Sequence, residues 1–336
     1  MKRIFIVFLC LCLFLLPGCG AAGEAAASTR YLTAMDTVMT LTAYGADRDR
    51  ALEEAVAEIQ RLDSLLSIGN DSSDISRLNR EKTAVLSPDA ASLLGSALDL
   101  ARDTQGIFDP TVYPLVKLWG FYDKDYHVPS RQELSQALDL VDYREVSLGE
   151  DGQASLGPGQ QIDLGGIGKG FTSQRVTELL RDAGITSAMV SLGGNIQCLG
   201  AKPDGSPWNI GIRDPFGEDV YAAVRVTDKA VITSGGYERY FKDPDTGNIY
   251  RHILDPRTGF PAEKGLSSVT VITSDGTLGD GLSTALYIMG LEDAASYWQN
   301  HREAFEAVFI TDDGTLYATE GLRGSLTSHY DIHYLP

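Results

Sequence analysis

Cysteine is scarce in this chain, positive charge is short, and the one conspicuous apolar run is brief. Cys10, Cys12 and Cys19 fall at the extreme N-terminus, which leaves Cys198 alone in the body of the protein. A lone cysteine forms no internal disulfide, and no Cys-rich zinc motif is spelled. Lys and Arg total 28 against 46 Asp and Glu, a formal net charge of −18. Nucleic-acid binding needs a basic face, so that class is excluded. A phosphate-bearing small molecule would need a locally placed cation or a metal. The apolar run Ile4 to Leu16 (IFIVFLCLCLFLL) has 13 residues, against about 20 for a spanning helix. Two nucleotide templates are also missing. The stretch Asp163 to Gly170, DLGGIGKG, misses a P-loop because Asp163 and Gly170 stand where Gly and Ser or Thr are required. It misses the dinucleotide fingerprint because Phe171 replaces the third glycine.

What the N-terminus does contain is a secretory signal: Lys2 and Arg3, the short apolar run, then Pro17-Gly18-Cys19. Leu16-Pro17-Gly18-Cys19 resembles a bacterial lipobox, in which Cys19 becomes the lipid-modified first residue. An uncleaved anchor and an ordinary signal peptide are the alternatives. The expected division is a signal peptide over 1–18, a flexible tether over 19–30 (GAAGEAAAST is small and polar), and one catalytic-size domain over 31–336.

Within that domain, Tyr31–Gly45 reads as a Thr- and Val-rich strand or hairpin. Leu52, Val56, Ile59, Leu62 and Leu66 recur at helical spacing and predict a helix over 49–66. Ser87-Pro88 opens a second helix that Gly106 closes. Ser130 and Glu133 spell a capping box for a third. Further helices are expected at Phe171–Ala183, at Asp280–Met289 and from Leu291. Strand patterns around 187–194, 208–212, 221–226, 230–236, 266–272 and 307–311 fill the second half. The expected fold class is α+β, a single domain with a large, mostly antiparallel sheet and packed helices.

Four polar or Gly-rich clusters interrupt the apolar segments. Gly106-Ile107-Phe108-Asp109-Pro110-Thr111, taken alone, reads as a turn. DLGGIGKG places Lys169 among glycines before a helix, a setting in which backbone N–H groups, the helix dipole and the lysine can meet an anion; tight strand–helix packing explains it equally well. His252 lies in a strand-like run, where histidine is more often structural, yet its pKa suits proton transfer near neutral pH. Asp280 and Thr284 are four apart near a helix start. They suit a hard cation such as Mg2+, or Asp280 merely caps the helix.

Together and in order, AMDTVMTL, GIFDPTVYPLVKLWGF, IDLGGIGKGF, VSLGGNI, WNIGIRDP, ITSGGYERYF, YRHILDPRTGFP and DGLSTALYIMG resemble the FAD:protein FMN transferase family, the ApbE-type flavin transferases. The resemblance runs from Tyr31 to Met289. It implies a T-fold-like architecture, Mg2+ as cofactor and FAD as substrate. The implied reaction moves FMN from FAD to a threonine or serine hydroxyl of an acceptor flavoprotein and releases AMP. The implied setting is the extracytoplasmic face of the cell membrane, through the lipid anchor, with the acceptor belonging to a membrane redox system. Met35, Ile107, Phe108, Asp109, Asp163 and Lys169 would line the FAD site, and Ile253 or its neighbour His252 would close over it. Asp280 and Thr284 would coordinate Mg2+, with Ser283 adjacent and the Gly166 carbonyl as a further ligand. His252 is the candidate base. Two departures stand out: Asp36 follows Met35 where the family often has Gly, and some relatives carry an acidic residue where Lys169 stands. An FAD pyrophosphatase, with water in place of the protein hydroxyl, is the alternative activity.

Overall fold

A computed structural model describes residues 26–336. The signal peptide, Cys19 and the first part of the tether lie outside the described residues. Nine strands make the main sheet: β1 (Ala27–Ala34), β2 (Thr37–Tyr44), β3 (Ser187–Leu192), β4 (Asn195–Leu199), β5 (Ala230–Gly235), β6 (Leu266–Thr273), β7 (Phe305–Thr311), β8 (Leu316–Thr319) and β9 (Ile332–Leu335). They lie side by side in chain order. Each neighbouring pair is antiparallel except β8 with β9. The large, mostly antiparallel sheet of an α+β fold is therefore present. β1 starts at Ala27, inside the stretch read as tether.

The helices are α1 (Arg48–Leu66), α2 (Asp74–Glu81), α3 (Pro88–Asp103), α4 (Tyr113–Leu118), α5 (Arg131–Leu138), α6 (Gly165–Asp182), α7 (Gly276–Met289) and α8 (Leu291–Asn300). Among the described residues, none is long and apolar enough to cross a membrane. α3 has Pro88 at its start, and α5 carries the Ser130–Glu133 capping box with both reciprocal bonds formed. One sheet face is covered by α1, α6, α7 and α8, with α3 packed outside on α6 and α7, and their apolar residues meet Val269, Val271 and Phe309 in the largest core cluster. The other face packs on a small sheet of Trp208–Arg213, Val220–Val226 and Leu326–Ser328. β6, covered on both faces, is buried at every position; this is why LSSVTVIT is almost continuously apolar or small rather than alternating. Cys198 is part of the second core, where burial pushes its thiol up to about 12.

A satellite core stands apart from the sheet. Leu115 and Trp119 from α4, Leu134 from α5, and Phe121, Phe241 and Leu254 pack together. Phe241 lies on a two-stranded hairpin, Tyr240–Lys242 with Ile249–Arg251. The Trp119 indole N–H donates to the Gly259 carbonyl at 2.7 Å, which ties the satellite to the turn after His252.

Both functional helices begin earlier than their apolar periodicity suggests. α6 starts at Gly165 rather than Phe171, so GGIGKG is the first turn and a half of a helix and not a loop. α7 starts at Gly276, with Asp275 as its N-cap accepting from the Leu278 N–H at 3.0 Å. Glycine's poor helix propensity hides such starts; here tertiary packing overrides it.

Candidate active site

The glycines are there because α6 and α7 touch. A Cβ at Gly170 would stand 2.5 Å from Asp280 Cβ and would overlap the Gly276 carbonyl as well. A Cβ at Gly276 would overlap Gln197 Oε1. The seam is pinned by a buried amide network. Ser173 Oγ lies 3.0 Å from Gln197 Oε1, Gln197 Nε2 donates to Gln174 Oε1 at 2.7 Å, and the Gly276 N–H donates to that same oxygen at 3.2 Å.

Asp280, one turn into α7, is 5 % exposed. Its Oδ2 accepts the Gly170 N–H at 2.7 Å, a donor that in a regular helix closes on the Gly166 carbonyl. The donation to Asp280 loosens the helical claim on that carbonyl. Asp280 is thus not the helix cap, and Oδ1 has no hydrogen-bond partner among the described residues. Ser283 Oγ donates to the Asp280 carbonyl at 2.8 Å. With that proton committed, Ser234 on β5 must donate to Ser283 (2.8 Å), and Thr284 to Ser234 (3.2 Å). The relay leaves the lone pairs of Thr284 Oγ1 open. Asp280 Oδ1, Thr284 Oγ1 and the Gly166 carbonyl could supply an oxygen-only donor set, the kind a small hard cation takes. Ser283 is fully buried and occupied with its own helix and Ser234.

The other clusters converge on the start of α6. The Asp163 N–H donates to the Pro110 carbonyl at 2.8 Å, joining the Ile107–Thr111 segment to DLGGIGKG. Phe108 is buried, its ring 3.3 Å from where a Gly166 Cβ would stand. Half-buried Ile107 and buried Ile253 pack into the same core. Asp109 is committed to its loop: Oδ1 accepts from the Thr111 N–H (2.8 Å) and hydroxyl (2.6 Å), and Oδ2 from the Tyr143 N–H (3.1 Å). Burial raises its pKa. The carboxylate shapes the segment that presents Ile107 and Phe108. Met35 and Asp36 form the two-residue turn of the β1–β2 hairpin, with φ of 49° and 58°. Met35 leans on α6, its sulfur 3.7 Å from Thr172 Oγ1, while Asp36 is exposed.

Beside the seam, Asp163 precedes α6 and Lys169 lies on it, with Arg239 and His252 of the hairpin region near enough for Arg239 and Lys169 to act on both Asp163 and His252. Asp163 and His252 both retain some solvent contact, yet both are densely surrounded. We read this combination as the floor of a cleft between the start of α6 and the hairpin. Desolvation raises the Asp163 pKa, against the pull of Arg239 and Lys169. Burial, with Arg239 and Lys169 adding to it, lowers His252 to about 4. His252 N and Nδ1 both lie 3.0 Å from the Arg239 carbonyl. A carbonyl only accepts, so Nδ1 carries the proton and Nε2 of the neutral ring is the free base. The Phe121 ring meets the imidazole edge-on at 6.4 Å.

The contacts join Gly166, Asp280, Ser283 and Thr284 at the α6–α7 seam, Ile107 and Phe108 to the start of α6, and Asp163 and His252 to Arg239 and Lys169, with Asp109 and Ser283 in supporting positions. Sequence reasoning missed Ser234, Arg239 and the Gln174–Gln197 pair. Ser234 and Arg239 lie in ITSGGYERYF, and a hydroxyl beside two glycines was the one available signal.

Comparison with known proteins agrees in extent as well as kind. The model of the ApbE family matches residues 35–309. A Treponema pallidum protein named FAD:protein FMN transferase is 34% identical, over 92% of this chain and 92% of its own. One of the same name from Salmonella typhimurium is 30% identical, over 95% and 96%. The solved structure of the ApbE protein from Thermotoga maritima superposes with a TM-score of 0.83 at 30% identity, covering 89% of this chain and 99% of that one. The apo flavinyl transferase ApbE of Pseudomonas stutzeri gives 0.81 at 28%, over 91% and 98%. The match spans every element that lines the cleft, and the chain belongs to the ApbE family.

Proposed function

We propose that this cleft transfers FMN from FAD to a threonine or serine hydroxyl of an acceptor flavoprotein, with AMP as leaving group and Mg2+ as cofactor. The observation that carries the reading is the pairing of an oxygen-only donor set on one wall with a neutral imidazole on the other. Named transferases that match almost end to end support it.

Asp280, Thr284 and the Gly166 carbonyl would hold the Mg2+, and the donor chemistry fits: one open carboxylate oxygen, one open hydroxyl and one loosened carbonyl. When bound, the ion supplies charge neutralisation at phosphoryl oxygens. The chain's own residues do the rest. Lys169 adds a fixed positive charge at the phosphates. Met35, Ile107, Phe108 and Ile253 offer an apolar wall to the flavin, and Asp163 sits at the cleft floor. His252 Nε2 takes the proton of the acceptor hydroxyl. The hydroxyl oxygen then forms its bond to the FMN phosphorus, the bond from that phosphorus to the bridging oxygen breaks, and AMP leaves with that oxygen and its electron pair. Positioning and charge account for most phosphoryl-transfer catalysis, and this site is built for both.

The working location we propose is the extracytoplasmic face of the cell membrane, with a lipid on Cys19 and an acceptor in a membrane redox system. A Cys19→Ala protein should then leave the membrane fraction. The activity test is incubation with FAD, Mg2+ and a threonine-bearing acceptor. Acid-stable flavin fluorescence on the acceptor, lost in Asp280→Ala, is the expected result. AMP release with no labelled acceptor would instead mark a pyrophosphatase.

A further inference from the structure

Among the described residues, Arg239 is an arginine without a carboxylate partner, and it lies beside both Asp163 and His252. Many arginines of this acidic chain are met by carboxylates, as Arg257 is by Asp255 and Arg144 by Asp142, while others such as Arg225 and Arg302 bond backbone carbonyls far from the site. Arg239 has no carboxylate within ion-pair distance among the described residues. Its side chain is exposed, and one guanidinium nitrogen donates to the Phe121 carbonyl at 2.7 Å. That bond fixes the head group at the satellite wall and leaves its remaining N–H donors open. Arg239 and Lys169 are both charged neighbours of Asp163 and of His252.

A cation beside a general base makes the base weaker. The arrangement is sensible only if an anion joins them. FAD brings two phosphates into the cleft, and the departing nucleotide keeps one. Lys169 reaches in from α6 and Arg239 from the hairpin side, so the two cations approach from opposite elements. Arg239 also governs the imidazole through its backbone, since its carbonyl receives both the His252 amide and Nδ1 protons. One residue therefore sets the direction of the base and places a planar, multi-donor cation next to it. A guanidinium suits phosphate geometry better than an ammonium.

The geometry points to Arg239 as the residue that receives the nucleotide phosphate beside His252, holding the leaving group while its carbonyl keeps Nε2 toward the acceptor. The inference rests on the FMN-transfer reading for its substrate but is tested without turnover. Two probes separate the charges: ADP carries the pyrophosphate and no flavin, riboflavin the flavin and no phosphate. Titration calorimetry of the full chain in Mg2+ buffer compares wild type with Arg239→Gln and Arg239→Lys. Arg239→Gln should weaken ADP roughly tenfold to a hundredfold, as loss of a charge-assisted contact does, and leave riboflavin unchanged. Arg239→Lys should recover part of the ADP affinity, which also guards against a folding defect. Wild-type ADP affinity in Arg239→Gln would overturn the assignment. So would equal weakening of both probes. If wild type binds ADP as expected but labels no acceptor, the transfer reading fails while the Arg239 result still stands.

Discussion

On the helical wall of the cleft, Asp280, Ser283 and Thr284 ride on a regular helix whose distance from α6 is fixed by backbone contact at Gly170 and Gly276. On the opposite wall, Arg239 and His252 sit just outside the short strands of a hairpin, backed by aromatic rings. Phe121 and Phe241 are 5.7 Å apart, and Tyr126 stacks on Phe241 at 5.0 Å. The first wall has no slack, because helices in backbone contact cannot shift without collision. The second is a small satellite core at the surface, with Tyr122, Tyr126 and Tyr240 exposed. An ion needs fixed ligands, whereas a protein acceptor needs a wall it can meet. On the proposed reading, the contrast assigns the phosphates to the tight half and the incoming hydroxyl to the accessible half.

That division can be broken most directly at its centre. Asp280→Ala should lower transfer roughly a thousandfold, because several kcal/mol of charge stabilisation leaves with the ligand. Mg2+ titration should no longer restore the rate. A mild loss would place the ion elsewhere. On the other wall, His252→Ala should keep FAD binding and lose about a hundredfold or more in rate. Retained activity would remove His252 from its role. The active form of the imidazole is the neutral one, present above its pKa and lost as pH falls through it. With that pKa lowered to about 4 in the free enzyme, kcat/KM, which reports the free enzyme, should persist through pH 5.5 instead of fading near 6.5. A pH–rate profile with its acid limb at 6.5 would mean the ring is less enclosed than the geometry says.

The seam itself is tested by Gly170→Ala. The added methyl collides with the Gly276 carbonyl and Asp280 Cβ, neither of which is a flexible side-chain end. Overpacking of this kind costs about 1–3 kcal/mol, read as a lower melting temperature. Activity should fall further than stability alone explains, because Asp280 is displaced. An unchanged melting temperature would show that the helices can separate, and the claimed contrast in rigidity would go with it.

The two walls were also unequally legible in the sequence. The strand patterns, α1, α3 and the α5 capping box follow from period, cap and proline signals that act locally, and all of them stand in the fold. Asp280 and Thr284 could be paired by their spacing of four. The true starts of α6 and α7 could not, since glycine signals a loop locally and is tolerated here only through contact with another helix 110 residues away, where the Gly170 N–H meets Asp280. Ser234 and Arg239 stayed hidden for a related reason. Their partners, Thr284 and Phe121, are brought to them by tertiary packing, which no local pattern encodes. Asp109 was legible locally: its cluster reads as a turn, and the three bonds from Thr111 and Tyr143 show the carboxylate bracing that loop.

The smallest effect is expected at Asp36, outside both walls. Its φ of 58°, beside Met35 at 49°, completes a two-residue hairpin turn that needs left-handed backbone at both positions. Aspartate tolerates that conformation better than most residues, which explains how it stands where the family often has glycine. The side chain is exposed, so it owes nothing to packing. Asp36→Gly should therefore change stability by less than about 1 kcal/mol, since relief of left-handed strain offsets the greater chain entropy of glycine. FAD affinity should be unaltered. Met35→Gly relieves the same strain but removes the sulfur contact with Thr172 on α6, so FAD affinity should drop where Asp36→Gly leaves it intact. Equal FAD affinity in the two variants would make Met35 a turn residue only, and the cleft would end at α6.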